Sequence, residues 1–222
     1  MDAEKTSLRA LKKRQTREKI SHAATRLFLE RGFDKVTIAD VAEAAQVAKM
    51  TVTNYFPRKE DLVFDLSEDF VQSLARTVRD REPGESALAA LRRAYLAAVA
   101  EHDPVIGFSG PAFARMIADS PALTARLREF HDEREKALAV VLAAETGTET
   151  GTETGAGPGG ILPKAAAAQL GGVHRLLFDE TLRRVIAGQD DAEIETALTG
   201  YIGAAFDLLE PSLGGYAVRP VA

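Results

Sequence analysis

The sequence predicts an all-α chain in two parts, a three-helix unit at the N-terminus followed by a larger helical bundle. Three observations carry that expectation. Aromatic residues make up only 6% of the 222 and Trp is absent, and the abundance of Ala, Leu, Arg and Glu favours helices over sheets. Apolar residues recur at helical spacing in successive segments, and Gly or Pro interrupts most of them. Charge is also segregated: residues 1–63 carry a net +4 and the remainder a net −9 within an overall −5.

Residues 5–19 hold seven basic side chains and one acid, Glu18. This reads as a basic arm, 1–16, ahead of the first helix. Such an arm suits phosphate binding or minor-groove insertion, and a solvated tail is the plainer alternative. Ile20, Ala23, Ala24, Leu27 and Phe28 then form the stripe of an amphipathic helix, which Gly32 caps while Phe33 packs back. Thr37 opens a second helix (Ile38, Val41, Ala42, Ala45), with Asp40 three residues on in a near capping box. Gln46 and Val47 make a turn, 48–56 resumes helical spacing, and Pro57 stops it.

On a helical wheel Ala48, Val52 and Phe56 point inward. Met50, Thr51, Thr53 and Asn54 therefore form a small polar outer face shaped to enter a major groove. Lys49 reaches a guanine edge or a phosphate, Asn54 suits an adenine, and Met50 and the threonine methyls suit thymine methyls. Three short helices, the last two joined by a tight turn, are the layout of a helix-turn-helix at 17–63.

In the body, 64–210, a long helix is expected from Arg58 to about Arg81 (Leu62, Leu66, Phe70, Leu74, Val78), broken by Pro83 and Gly84. Another follows over 86–102, closed by Asp103 and Pro104. A bent segment at 108–118 and a long helix opened by Pro121 come next. The repeat ETGTETGTETGAGPGG at 145–160 reads as a flexible loop spanning 145–162. Helices at 165–187 and 192–209 follow, and 211–222 is expected to be a loose tail.

Several classes are disfavoured. With no Cys there is no disulfide framework or thiol nucleophile. No segment reads as a membrane span or signal peptide, so a cytoplasmic protein is expected. The four histidines, His22, His102, His131 and His174, fall in no metal-binding spacing, and no phosphate-binding Gly loop or nucleophile elbow is present. The FHDERE run at 130–135 reads as a solvated helix face. Neither a catalytic site, a metal nor a cofactor is expected.

The run GFDKVTIADVAEAAQVAKMTVTNYFPRKEDL (32–62), preceded by ATRLFLERG (24–32), resembles the DNA-binding domain of TetR-family regulators over roughly residues 12–66. That resemblance implies operator DNA as partner, with Thr37 as the second-helix cap and Thr51, Tyr55 and Lys59 holding phosphates. Arg14 and Arg17 match a backbone-contacting position at the start of the first helix, and Arg9 and Lys12 follow the minor groove. Lys59 also falls at the N-terminus of the expected long fourth helix, where an anion is favoured. Three positions depart from the family pattern: Gln46 where Gly is usual in the turn, Ala48 in place of a Ser or Thr cap, and Thr53 where an aromatic is common.

For the body the resemblance implies a pocket for an unidentified small-molecule effector and a homodimer through the last two helices. Small and large apolar residues (Ala168, Leu170, Gly171, Gly172, Val173, Leu176 and Leu177, then Ile194, Leu198, Tyr201, Ile202, Ala205 and Leu209) suit close helix packing, either across a two-fold axis or in the core of one chain. Pocket candidates are Phe70 and Leu74, Tyr95 and Val99, Phe108, Phe113 and Met116, Phe130 and Arg134, and His174 and Phe178. A buried Arg134 would favour an anionic ligand such as a carboxylate. A DNA-binding regulator without a small-molecule effector fits the same residues, and a buried apolar cavity is what separates the two.

Overall fold

The computed structural model describes residues 2–146 and 160–221, with side chains from residue 11 onward. Among them the regular structure is helical: α1 (Asp2–Arg31), α2 (Ile38–Ala44), α3 (Lys49–Tyr55), α4 (Ser67–Arg79), α5 (Ala87–Ala100), α6 (Pro111–Asp119), α7 (Pro121–Glu145), α8 (Ile161–Ile186) and α9 (Asp191–Leu213). No described helix is long and apolar enough to cross a membrane.

The chain divides into two compact units, one of residues 1–67 with 115–126, the other of 68–114 with 127–222. In the first, Ile20, Ala24, Phe28, Val41, Val52, Phe56 and Leu62 are almost wholly buried together. The caps follow the chemistry of the sequence. Gly32 takes φ +86 after α1. Thr37 and Asp40 close a full capping box, so the shorter acid suffices. Gln46 adopts φ +52, and its N–H and that of Val47 donate to the carbonyls of Glu43 and Ala42, both at 2.9 Å. This is the paired closure of a Schellman motif made without glycine.

Three boundaries differ from expectation. The segment expected as an arm is instead the start of α1, which begins at Asp2, because nothing between residues 2 and 31 breaks a run of good helix formers. No long helix starts at Arg58: a single 3-10 turn, Glu60–Leu62, precedes α4 at Ser67. Asp61 helps to hold that turn, its carboxylate accepting from the Arg58 N–H at 3.2 Å and pairing with Arg126 at 2.8 Å. The third is α8, which begins at Ile161 with Pro163 in its first turn, where the missing N–H costs nothing. The expected loop falls largely on residues 147–159, outside those described.

The second unit buries Leu88, Leu91, Leu138, Leu142, Leu170, Leu198, Ile202 and Phe206 in one core. The C-terminal segment is not the loose tail expected. Val218 bridges Ser86 in antiparallel fashion, the Gly84 N–H donates to the Arg219 carbonyl at 2.8 Å, and the Arg219 N–H donates to the Glu85 carbonyl at 3.0 Å. Arg81, 1% exposed, organises this corner. It donates to the carbonyls of Val78, Glu85 (3.1 Å) and Ala217 (3.0 Å) and to the Glu145 carboxylate at 2.8 Å.

Candidate nucleic-acid interface and buried polar cluster

Helix α3 presents most of the face that the wheel assigned, with one correction: Val52 and Phe56 point inward as expected, but Ala48, the cap residue ahead of the first turn, is exposed. Val52 is fully buried, whereas Lys49 and Asn54 are exposed and Met50 is 70% exposed. Thr51, Thr53 and Tyr55 are half-buried at its flanks. The Thr53 hydroxyl donates back to the Met50 carbonyl at 3.1 Å. Ala48 caps the helix without a side-chain acceptor, so the first N–H groups of α3 remain open to water or to an oxyanion.

Around this face the basic side chains take two kinds of position. Lys12, Lys13 and Thr16 of α1 line a shallow concavity together with Tyr55, and the exposed Arg14 makes only a solvent-facing 3.6 Å pair with Glu18. Lys13 and Thr16 carried no distinct signal in the sequence beyond the basic run. Only the continuation of α1 through that run brings them to Tyr55.

Arg17 and Lys59, by contrast, face the protein. The Arg17 guanidinium donates to the Tyr55 carbonyl at 3.0 Å and lies 4.3 Å from the centre of the Phe56 ring, so it clamps the end of α3 to α1. The Lys59 ammonium donates to the Phe33 carbonyl at 2.6 Å and sits 4.2 Å above the Phe33 ring. Partial burial lowers its pKa, with Asp34 and Glu60 opposing. It does not stand at the start of the fourth helix, because the 3-10 turn intervenes. Thr37 is occupied as a cap: its hydroxyl donates to Asp40 at 2.7 Å and accepts from the Asp40 N–H at 3.2 Å.

In the second unit, Phe70, Leu74, Tyr95, Val99, Phe108, Phe130, Arg134, His174 and Phe178 are all buried, and Phe113 is half-buried. Leu74, Tyr95, Val99 and Phe108 belong to the continuous apolar core. Met116 is half-buried and falls in the other unit. The 130–135 run is not a solvated face throughout, since Phe130, His131 and Arg134 are each 4% exposed or less. Their spacing of 1 and 4 turns one side of α7 inward and leaves Asp132 and Glu133 in solvent.

His131, which sequence reasoning missed as a site residue, joins Arg134, His174 and Tyr95 in a polar cluster with aromatic walls. The guanidinium of Arg134 donates to His131 Nδ1 at 3.1 Å and lies 4.2 Å over Phe70. Edge-to-face contacts link Phe70 to His131 (5.0 Å) and Phe178 (5.7 Å), and His174 to Tyr95 (4.8 Å) and Phe206 (5.8 Å). Burial, reinforced by the Arg134 charge, pushes His131 down to about 3 and His174 well below its ordinary value. Burial also lowers Arg134 to about 10 and raises Tyr95.

On α8 and α9, Leu170, Gly171, Leu177, Ile194, Leu198 and Ile202 are buried within the single chain, and Val173, Ala205 and Leu209 are half-buried. Ala168, Gly172, Gly200 and Ala204 are exposed, as are Leu176 (64%), Tyr201 (45%) and Leu208 (79%).

Comparison with known proteins agrees with this geometry. Residues 20–66 match the family described as bacterial regulatory proteins, tetR family. The HTH-type transcriptional regulator TcmR of Streptomyces glaucescens is 27% identical over 220 residues, 97% of this chain and 92% of its own. Native NalD of Pseudomonas aeruginosa, described as the secondary repressor of the MexAB-OprM multidrug efflux pump, shares the fold. Its TM-score is 0.54 at 20% identity, covering 87% of this chain and 96% of its own. A SmeT–triclosan complex also shares it, with TM-score 0.54 at 18% identity over 94% and 96% of the two chains. Residues 20–66 thus carry the DNA-binding domain of the tetR family, and the chain is a DNA-binding transcriptional regulator.

Proposed function

We propose that this regulator is a cytoplasmic repressor that binds a pseudo-palindromic operator as a homodimer, releases it when a small molecule occupies the helical body, and catalyses no reaction. The observation that carries the DNA half is α3, whose exposed Lys49, Met50 and Asn54 stand on a helix anchored by buried Val52 and clamped by Arg17. Lys49 and Asn54 read base edges, and Met50 meets thymine methyls. Thr51 and Tyr55, with Lys12, Lys13 and Arg14, hold the phosphates on either side. Arg17, Lys59 and Thr37 chiefly fix the geometry, with the remaining N–H groups of Arg17 and Lys59 available to phosphate. The exposed stripe of small residues, Leu176 and Leu208 on α8 and α9 supports the dimer, because one head reads too few base pairs for specificity.

Release requires an effector that binds one head spacing better than the other. Support for a small molecule comes from the buried, incompletely bonded polar cluster of the body and from SmeT, a protein of this fold whose structure is a complex with triclosan. The test is binding of the full chain to DNA upstream of its own gene, followed by fluorescence anisotropy against salt. Asn54→Ala is expected to relax sequence preference, and Lys12→Ala to weaken all sequences alike while reducing the salt slope by about one unit. Unaltered binding in both variants would overturn the docking.

A further inference from the structure

A buried guanidinium normally has a carboxylate beside it, since an uncompensated charge away from water is strongly disfavoured. Arg134 is 3% exposed, yet among the described residues no carboxylate pairs with it. Its single polar contact is His131 Nδ1 at 3.1 Å, and its face rests on Phe70 at 4.2 Å. A guanidinium has five N–H donors, so most of its hydrogen-bonding capacity is unused.

The neighbours lack the same kind of partner. Arginine only donates, so Nδ1 of His131 must be the accepting nitrogen, and in the neutral ring the proton then sits on Nε2. That Nε2–H is buried with no acceptor, and His174 Nε2 also lacks a partner; the Tyr95 hydroxyl makes no close hydrogen bond, although the Thr181 hydroxyl lies near it. The charged groups nearest the cluster do not resolve this. Arg175 is a second cation that pairs with the exposed Asp132 at 2.8 Å, and Asp179 is felt at Tyr95. What the interior lacks is negative charge with acceptor oxygens.

From these groups we infer that the effector is an aromatic organic acid whose carboxylate docks on Arg134 and accepts hydrogen bonds from His131 Nε2–H and the Tyr95 hydroxyl. A carboxylate matches the guanidinium fork with two parallel bonds and has lone pairs left for the other donors. The aromatic body is argued from the walls: Phe70, Phe178, Phe206 and both imidazoles pack edge to face, so a flat ring that parts them finds the same kind of contact it replaces. Inorganic phosphate has nothing to offer these walls. This inference rests on the effector-release reading above and names the chemistry of the same site.

The test uses the full chain, its operator DNA and three probes: 2-naphthoate, its neutral analogue 2-naphthamide, and octanoate. Naphthoate is expected to raise the melting temperature and dissociate the operator complex, naphthamide to do neither, and octanoate to bind at least tenfold more weakly. Arg134→Met, close in length but uncharged, is expected to fold, to keep operator affinity and to lose naphthoate binding by more than thirtyfold. Arg134→Lys, which keeps the charge but not the fork, serves if the Met variant fails to fold, with an intermediate loss expected. The inference is overturned if naphthamide binds as well as naphthoate, if both variants bind naphthoate unchanged, or if neither acid binds at millimolar concentration. Preferred binding of octanoate overturns the aromatic part alone. Should naphthoate bind through Arg134 without releasing DNA, the site stands and the effector-release reading falls. Release by a neutral compound alone does the reverse.

Discussion

At Gln46 the chain does something most side chains avoid, holding φ at +52 to close the turn before the recognition helix. Glycine adopts that conformation without the Cβ contact, so Gln46→Gly is expected to stabilise the chain by roughly 0.5–1 kcal/mol, read from the urea midpoint. This position was legible in advance, as was the uncapped Ala48, because turn and cap chemistry depends on neighbours in sequence. His131 was not, because a run of charged residues on a helix looks solvated until one knows which side another helix covers. It also gives a pH signature. The buried imidazoles of His131 and His174 stay neutral in the folded chain while their unfolded values lie near 6.5. Only the unfolded chain then takes up protons as pH falls, so stability is full above about 6.5 and is lost on the way toward 3. Between pH 7 and 5.5 each histidine is expected to remove roughly 1 kcal/mol, and His131→Gln should flatten that slope in denaturation measured at each pH.

At the scale of elements, spacing located the helices well and their ends less well. The stripes of α5, α6, α7 and α9 and the stops at Gly32 and Pro57 follow from local composition. The start of α4 at Ser67 and the docking of the C-terminal segment do not, because Asp61 and Arg81 find partners more than sixty residues away. Removing Arg81 deprives the carbonyls of Val78, Glu85 and Ala217 and the Glu145 carboxylate of one shared donor. Arg81→Met is therefore expected to cost about 3 kcal/mol and to speed hydrogen exchange at the Arg219 amide. Arg219→Ala, which keeps the backbone ladder, should cost about 1 kcal/mol. Similar costs for the two would show that Arg81 is not the hub.

For the whole molecule, assembly is the proposal most open to a direct check. Leu176 and Leu208 are largely exposed in the single chain, so a charge at each costs the monomer little. Leu176→Glu with Leu208→Glu is expected to yield a monomer by light scattering, with helicity retained. Operator affinity should fall by roughly two orders of magnitude as the second head no longer adds its binding. A dimer that persists would place the two-fold elsewhere. The sequence could not sort the residues of α8 and α9 into core and interface, because the same small and apolar side chains serve both.

The grouping of residues 115–126 with the N-terminal unit bears on how such proteins are recombined. The DNA reader is not one contiguous stretch of chain, because Arg126, which neutralises the nearly buried Asp61, arrives from the first turns of α7. A chimera that exchanges only residues 1–67 with a relative would separate that pair and leave the Asp61 carboxylate without its Arg126 partner. A graft that also carries the 115–126 corner keeps acid and base together, so the natural unit of exchange is two segments.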